Sequence, residues 1–329
     1  MKWVECVPNF SEGRDPEVIE AIATAIRSVD DVLLLHVDPG WDANRTVYTF
    51  AGTPEGVAEA AFRAIKVAQE RIDMRTHSGE HPRMGACDVC PFIPLGEMTM
   101  EETVRLSHEV GSRLGKEGIS VYMYERSANI PERCNLAFLR KGEYEAIAEK
   151  SLDPSWRPDY GPHRIDERFG MMALGARPFL VAYNISLDST DLSIARKVAA
   201  LIRESGYRDV EGRRIPGLLK GLKAIGWWME HYHCVQVSTN IVDLNIVGVK
   251  TVFDTVVSVA DSLGVVVKGS ELIGLIPEKA LLDVGKELLP GEPDKFLLAA
   301  EAVKYLGLDL DPESRILEWC IGRKAVQAK

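Results

Sequence analysis

The chain has 329 residues, 46% of them hydrophobic and 27% charged, with 27 glycines and 17 prolines spread along its length. That apolar fraction excludes intrinsic disorder, and at about 150 residues per domain the length predicts about two domains. The formal charge of −10 argues against a nucleic-acid or anionic-membrane binder, and every apolar run stops short of the ~18 residues a bilayer span requires.

In chain order, Val4 to Asn9 reads as a strand, interrupted too early by Glu5 and Pro8 to be a signal-peptide core. Val18, Ile19, Ile22, Ala25 and Ile26 then recur at helical spacing. Val32 to Val37 and Arg45 to Phe50 read as two strands joined by a turn, followed by a helix from Thr53 to about Ile72 and a strand from Pro91 to Pro94. The same order then returns. Phe179 to Asn184 is a strand, Leu192, Ile194, Val198, Ala199 and Ile202 mark a helix, and Leu222 to Trp228 and Val235 to Asp243 are two strands. A helix from Thr251 to Leu263 and a strand from Val265 to Pro277 complete the second copy. Both copies share Asn-x-Ser after the first strand (Asn9-Phe10-Ser11, Asn184-Ile185-Ser186) and Ile-Pro at the end of the last. A β-α-β-β-α-β order used twice predicts an α/β (α+β) protein of two ferredoxin-like halves, residues 1–178 and 179–329. Residues 154–178, rich in Pro and Gly without a period, read as a linking loop that contacts ligand through groups such as Tyr160, His163, Arg164, Phe169 and Met171.

The copies differ most at residues 73–88, an insertion in the first that carries His77, Glu80, His81, Arg83, Cys87 and Asp88. Titratable groups on a Gly- and Pro-punctuated loop are the usual anatomy of an active site. Three chemistries compete for it. His77, His81, Cys87 and Cys90 have the ligand types of a zinc site, although Cys90 lies in an apolar strand. Cys87 and Cys90 form a Cys-x-x-Cys unit, but one that does not open a helix, and the six sparse cysteines read as reduced thiols in a cytoplasm. His81 is suited to general acid/base catalysis, oriented by Glu80 or Asp88, with Pro82 favouring an extended backbone.

Asp38 stands at a strand end and Arg45 offers a planar fork for a substrate carboxylate, while Asn44 beside it is equally an edge-strand residue. In the second copy Gln236, Ser238 and Asn240 share one strand face. Gly269 through Pro277 has glycines that permit close approach of a flat ligand, and Lys220, Lys223, Lys250 and Lys268 offer local positive charge.

Four segments carry a resemblance: Val4 to Gly13 (VECVPNFSEG), Asn44 to Phe50 (NRTVYTF), Gly79 to Pro94 (GEHPRMGACDVCPFIP) and Gln236 to Asn240 (QVSTN). They resemble the formiminotransferase domain of formiminotransferase-cyclodeaminase, in order from about Val4 to about Leu308, and the chain looks like a stand-alone transferase. The resemblance implies N- and C-terminal formiminotransferase subdomains whose sheets face across a folate tunnel, the first carrying the catalytic loop, and at least a dimer. It implies a formimino group moved between N-formiminoglutamate and N5 of tetrahydrofolate, as in histidine degradation and one-carbon metabolism, with tetrahydrofolate as co-substrate and no metal. His81 and Asp38 match the catalytic positions, and Arg45, Arg83, Asn9 and Asn240 are the expected substrate contacts. The folate stretches correspond to Gly161, Pro162, His163, Arg164, Phe169 and Gly170, and to Gly269, Ser270, Glu271, Leu272, Ile273 and Gly274. Formyl transfer from 5-formyltetrahydrofolate is the nearest alternative; a zinc-dependent hydrolase or a folate carrier without turnover come from other classes.

Overall fold

The structure, a computed structural model, describes residues 1–291 and 293–327. The chain divides into two compact units, Met1–Pro178 and Phe179–Lys329. In the first, β1 (Lys2–Cys6) and β2 (Asn9–Phe10) lead to α1 (Pro16–Arg27), β3 (Val32–Gly40), β4 (Arg45–Gly52), α2 (Pro54–Arg71) and β5 (Cys87–Gly96). α3 (Met100–Lys116), β6 (Ser120–Met123), the short α4 (Leu136–Leu139) and α5 (Ile147–Leu152), and β7 (Met171–Ala176) follow.

Local chemistry sets these boundaries. Asp15 caps α1 by accepting from the backbone N–H groups of Glu17 and Val18, and Thr53 caps α2 before Pro54 at the first helical position. The buried face of α2 is largely alanine (58, 60, 61, 64 and 68), which lets the helix lie close to its neighbours. The first strand is broken because Pro8 has no N–H for the ladder, so β1 and β2 occupy one slot, each pairing antiparallel with both β4 and β5. The seven-stranded sheet thus runs β3, β4, β1 with β2, β5, β7, β6, the last two joining in parallel.

Residues 154–178 are not one loop. Met171–Ala176 is a wholly buried strand between β5 and β6. Both faces of that strand are covered, so the run MMALGA shows no alternation to distinguish it from irregular chain. One face of the sheet, with Phe10, Phe50, Cys90 and Phe92, packs with α1, α2 and α3. On the other face Val89, Tyr122, Tyr124 and Ala173 pack with Leu139, Ile147 and Ile165, drawn from a covering segment between β6 and β7. Arg133 holds that segment through a buried ion pair to Asp159 at 2.7 Å, and Trp156 stacks on Phe138.

The second unit contains β8 (Val181–Leu187), α6 (Leu192–Ile202), a small hairpin of β9 (Tyr207–Arg208) and β10 (Arg214–Ile215), β11 (Leu222–Met229), β12 (Cys234–Ile241), α7 (Val249–Ser262) and β13 (Val267–Ile273). α8 (Glu278–Leu288), α9 (Lys295–Tyr305), α10 (Pro312–Arg315) and α11 (Leu317–Gln327) complete it. Its sheet is antiparallel in the order β11, β12, β8, β13. Counting β1 with β2 as the first strand of the first unit, and leaving aside its β6–β7 extension, each sheet runs second, third, first, fourth. No described helix is long and apolar enough to cross a membrane.

Candidate active site

Where β4, β2 and β5 meet at one end of the first sheet, the loops fix one another. Asn44, at φ +45°, accepts from the Gly13 N–H at 3.0 Å and donates to Ser78 O at 3.0 Å, tying three loops together. Asn tolerates this left-handed backbone better than most residues, and the tie gives it a definite structural role. Gly79 is needed because a Cβ there would lie 2.3 Å from Ala43 O. His77 donates from Nε2 to Asn44 O at 2.8 Å and accepts at Nδ1 from Arg83 Nε at 3.4 Å. Both ring nitrogens are engaged, and burial lowers the pKa, so His77 is a neutral structural tie.

His81 is arranged differently. Its Nδ1 lies 2.7 Å from Pro82 O, and since a carbonyl only accepts, Nδ1 carries the proton and Nε2 is the basic nitrogen. Burial first, then the charges of Arg45 and Arg140, push its pKa well below the usual histidine value, against the opposing pull of Asp88. The ring is therefore neutral at pH 7, the state that can receive a proton.

Cys87 and Asp88, expected on the inserted loop, are the first two residues of β5. Asn9 faces Val89 and Phe10 faces Cys87, two steps on β5 against one on β2, which makes Asp88 the extra residue of a β-bulge. The bulge turns its carboxylate away from the Cys87 side and toward Asn9. Fully buried there, it accepts from Arg45 Nη1 at 2.6 Å, from Arg140 Nη2, and from the Met84 N–H at 3.1 Å. Burial alone would raise its pKa, but Arg140 and Arg45 outweigh that and hold it far below the carboxylate range. Arg45 Nε also donates to Asn9 Oδ1 at 2.9 Å. On β3, Asp38 pairs with Val47, which pairs with Asn9, so Asp38 and Asn9 share a row and a face, with His36 Nε2 at 3.9 Å from Asp38. Asn9, Asp38, Arg45 and His81 thus gather at one end of one sheet.

Arg83 is engaged by carboxylates of the covering segment. It is buried, forked onto Glu145 at 2.7 and 2.8 Å, and reaches Glu143 at 3.3 Å. Of the first folate stretch, Gly161 and Gly170 are required by packing within the unit: their φ values are +87° and +81°, and a Cβ would lie 2.0 Å from Ile119 O and 2.5 Å from Met84 O. Phe169 is a core residue at 1% exposure, whereas Pro162 and Arg164 are exposed and His163 reaches Asp153 O at 3.3 Å. In the second unit Gly269, Glu271 and Ile273 lie in register with Ser186, Asn184 and Ala182, and so share a face with Gln236, Ser238 and Asn240. Ser270 turns the other way and donates to Leu306 O; Leu272 is buried, and Gly274 takes φ +72°. Gln236 is itself buried, accepting from Trp227 Nε1 at 3.1 Å and donating to Ser186 Oγ at 3.0 Å.

Cys6, Cys87 and Cys90 are buried free thiols, with Cys6 and Cys90 Sγ 3.5 Å apart, and burial pushes Cys6 and Cys87 upward. Among the described residues no three His, Cys, Asp or Glu side chains are placed to hold a metal ion. Arg140 is the site residue that sequence reasoning missed: it caps α4 in an aperiodic stretch and reaches Asp88 through a fold the spacing does not reveal.

Residues 3–177 match the family described as formiminotransferase domain, N-terminal subdomain, and residues 182–322 match the formiminotransferase domain. The chain is 45% identical over 328 residues to formimidoyltransferase-cyclodeaminase of Sus scrofa, covering 97% of this chain and 60% of that protein. It is 44% identical over 292 residues to glutamate formimidoyltransferase of Streptococcus pyogenes serotype M1, covering 88% of this chain and 94% of that one. The glutamate formimidoyltransferase of Thermoplasma acidophilum is 40% identical over 292 residues, with 88% and 93% covered. The chain spans about 60% of the length of the cyclodeaminase-bearing relatives. With both units matched, the chain belongs to the formiminotransferase domain family.

Proposed function

We propose that this chain is a glutamate formimidoyltransferase, moving a formimino group between N-formiminoglutamate and N5 of tetrahydrofolate in histidine degradation and one-carbon metabolism. The observation that carries the reading is the 44% identity to a protein of that name across 94% of its length. The arrangement of His81 supports it independently, because the reaction exchanges one amine for another on an amidine carbon.

His81 Nε2 takes the proton released as the new C–N bond forms, becoming imidazolium. It then gives that proton to the glutamate nitrogen as the old C–N bond breaks, so the ring ends as it began. The Nδ1–Pro82 bond keeps the ring in one tautomer through both transfers. Asp38 stabilises the positive charge of the amidinium, and Asn9 and Arg45 orient the donor. Tetrahydrofolate is the co-substrate, and amine exchange at an amidine calls for no metal. The exposed groups of residues 161–170, with Gly269, Glu271 and Ile273, are the proposed folate contacts. Within this reading the two units are one ferredoxin-like design used twice, their sheets face across a folate tunnel, Asn240 contacts substrate, and the working form is a cytoplasmic homodimer. A feature of both sheets supports the duplication: each fourth strand is bulged at its second residue, Asp88 in β5 and Lys268 in β13.

Tetrahydrofolate consumption measured in parallel with N-formiminoglutamate and N-formylglutamate tests the proposal. Turnover with the formimino donor is expected; turnover with the formyl donor alone, or with neither, would overturn it.

A further inference from the structure

Beside His81, two arginines converge on a single buried carboxylate. Arg45 and Arg140 both pair with Asp88, so two guanidinium groups share one direct carboxylate partner. A guanidinium that shares its carboxylate with a second one keeps donors for a further anion.

The geometry shows where that anion goes. Arg45 uses Nε on Asn9 and Nη1 on Asp88; Arg140 uses Nε and Nη2 on Asp88. Among the described residues, Arg45 Nη2 and Arg140 Nη1 meet no protein acceptor, and neither is sealed from solvent. The two open donors come from different elements, the start of β4 and the end of α4, and are drawn together by the same carboxylate. That is how a pair of guanidinium groups is pre-set for a second carboxylate. Arg83, on the inserted loop, is paired with Glu143 and Glu145.

We propose that Arg140, together with Arg45, binds a carboxylate of the donor substrate beside His81, with Asp88 as the residue that positions both. The inference rests on the donor being a glutamate derivative, as in the function proposed above.

A consequence follows for the base. The charged groups that bear most on the His81 ring include Arg45 from β4, Arg140 from the end of α4 and Asp88 from β5. With the pocket empty, burial and, after it, the positive charge of Arg45 and Arg140 keep imidazolium unfavourable. A bound carboxylate offsets that charge, so His81 becomes a better base only when the donor is in place.

The test is an NMR titration of His81, assigned by difference against His81→Gln, in the full-length protein with and without L-glutamate at constant ionic strength. In the wild type, glutamate is expected to raise the His81 midpoint by about one pH unit. In Arg140→Gln the midpoint starts higher and does not respond. KM for N-formiminoglutamate rises about tenfold or more, while KM for tetrahydrofolate changes less. Arg140→Lys keeps the charge but not the fork, so it retains the low starting midpoint and weakens glutamate binding, which separates the pocket from a folding defect in the Gln variant. A wild-type midpoint that ignores bound glutamate, or an Arg140→Gln protein that binds glutamate as tightly as wild type, overturns the proposal. The titration needs no turnover: a glutamate-responsive midpoint in a protein that transfers no formimino group would sink the proposed function and leave the pocket standing.

Discussion

The two units arrange four strands in the same order and bulge the fourth at the same place, yet one bulge carries Asp88 and the other Lys268. Asp88 is fully buried between two arginines; Lys268 is exposed. The matching face of the second sheet holds Asn184, Ser186, Gln236, Ser238 and Asn240, amides and hydroxyls that hydrogen-bond without titrating near neutrality. The comparison teaches that the backbone device is shared and the chemistry is local: a carboxylate at the bulge, an inserted loop with His81, and Arg140 from a covering segment placed between β6 and β7.

Replacing the bulge residues tests this contrast most severely. Asp88→Ala leaves the buried Arg45 and the part-buried Arg140 without their carboxylate and is expected to destabilise the first unit by about 3–5 kcal/mol. Lys268→Ala should stay within about 0.5 kcal/mol of wild type. Equal losses in chemical denaturation would erase the distinction drawn between the two bulges.

The covering segment that delivers Arg140 has its own signature. Lys150 is buried, donates to Leu139 O at 2.8 Å, sits over the Trp156 ring, and is pushed down to about 8 by burial. A lysine whose folded-state pKa is depressed carries its penalty fully below that value, and stability is regained as pH rises from about 8 toward the unfolded value near 10.5. The wild type should therefore gain stability over that window relative to Lys150→Met, by at most about 3 kcal/mol. Parallel pH–stability curves for the two proteins would contradict the assignment.

A smaller effect is expected at Thr49, whose buried hydroxyl has no partner among the described residues. Thr49→Val removes an unsatisfied polar group at nearly constant shape, so its stability should match or exceed wild type by up to about 1 kcal/mol. A clear loss in thermal melting would mean that the hydroxyl is in use.

Much of this was legible from residue order. The repeated β-α-β-β-α-β pattern is visible because each half-buried strand and amphipathic helix leaves its period in the sequence, and Thr53-Pro54 and Asp15-Pro16 mark helix starts by capping chemistry. Asn9, Asp38, Arg45 and His81 were identifiable as polar groups at strand ends and on a punctuated loop. β7 was hidden because a strand covered on both faces loses its alternation. The orientation of Asp88 was hidden because a bulge reverses the face that parity assigns. Arg140 and the occupation of Arg83 by Glu143 and Glu145 depend on contacts between residues more than fifty positions apart, which no local spacing encodes.

The central claim is that His81 carries the proton between the two amines. Single-turnover transfer from N-formiminoglutamate to tetrahydrofolate by His81→Ala, with a melting curve to confirm folding, tests it directly. A loss of about 10²-fold or more in a folded protein is the predicted result. Transfer at near the wild-type rate would contradict the account.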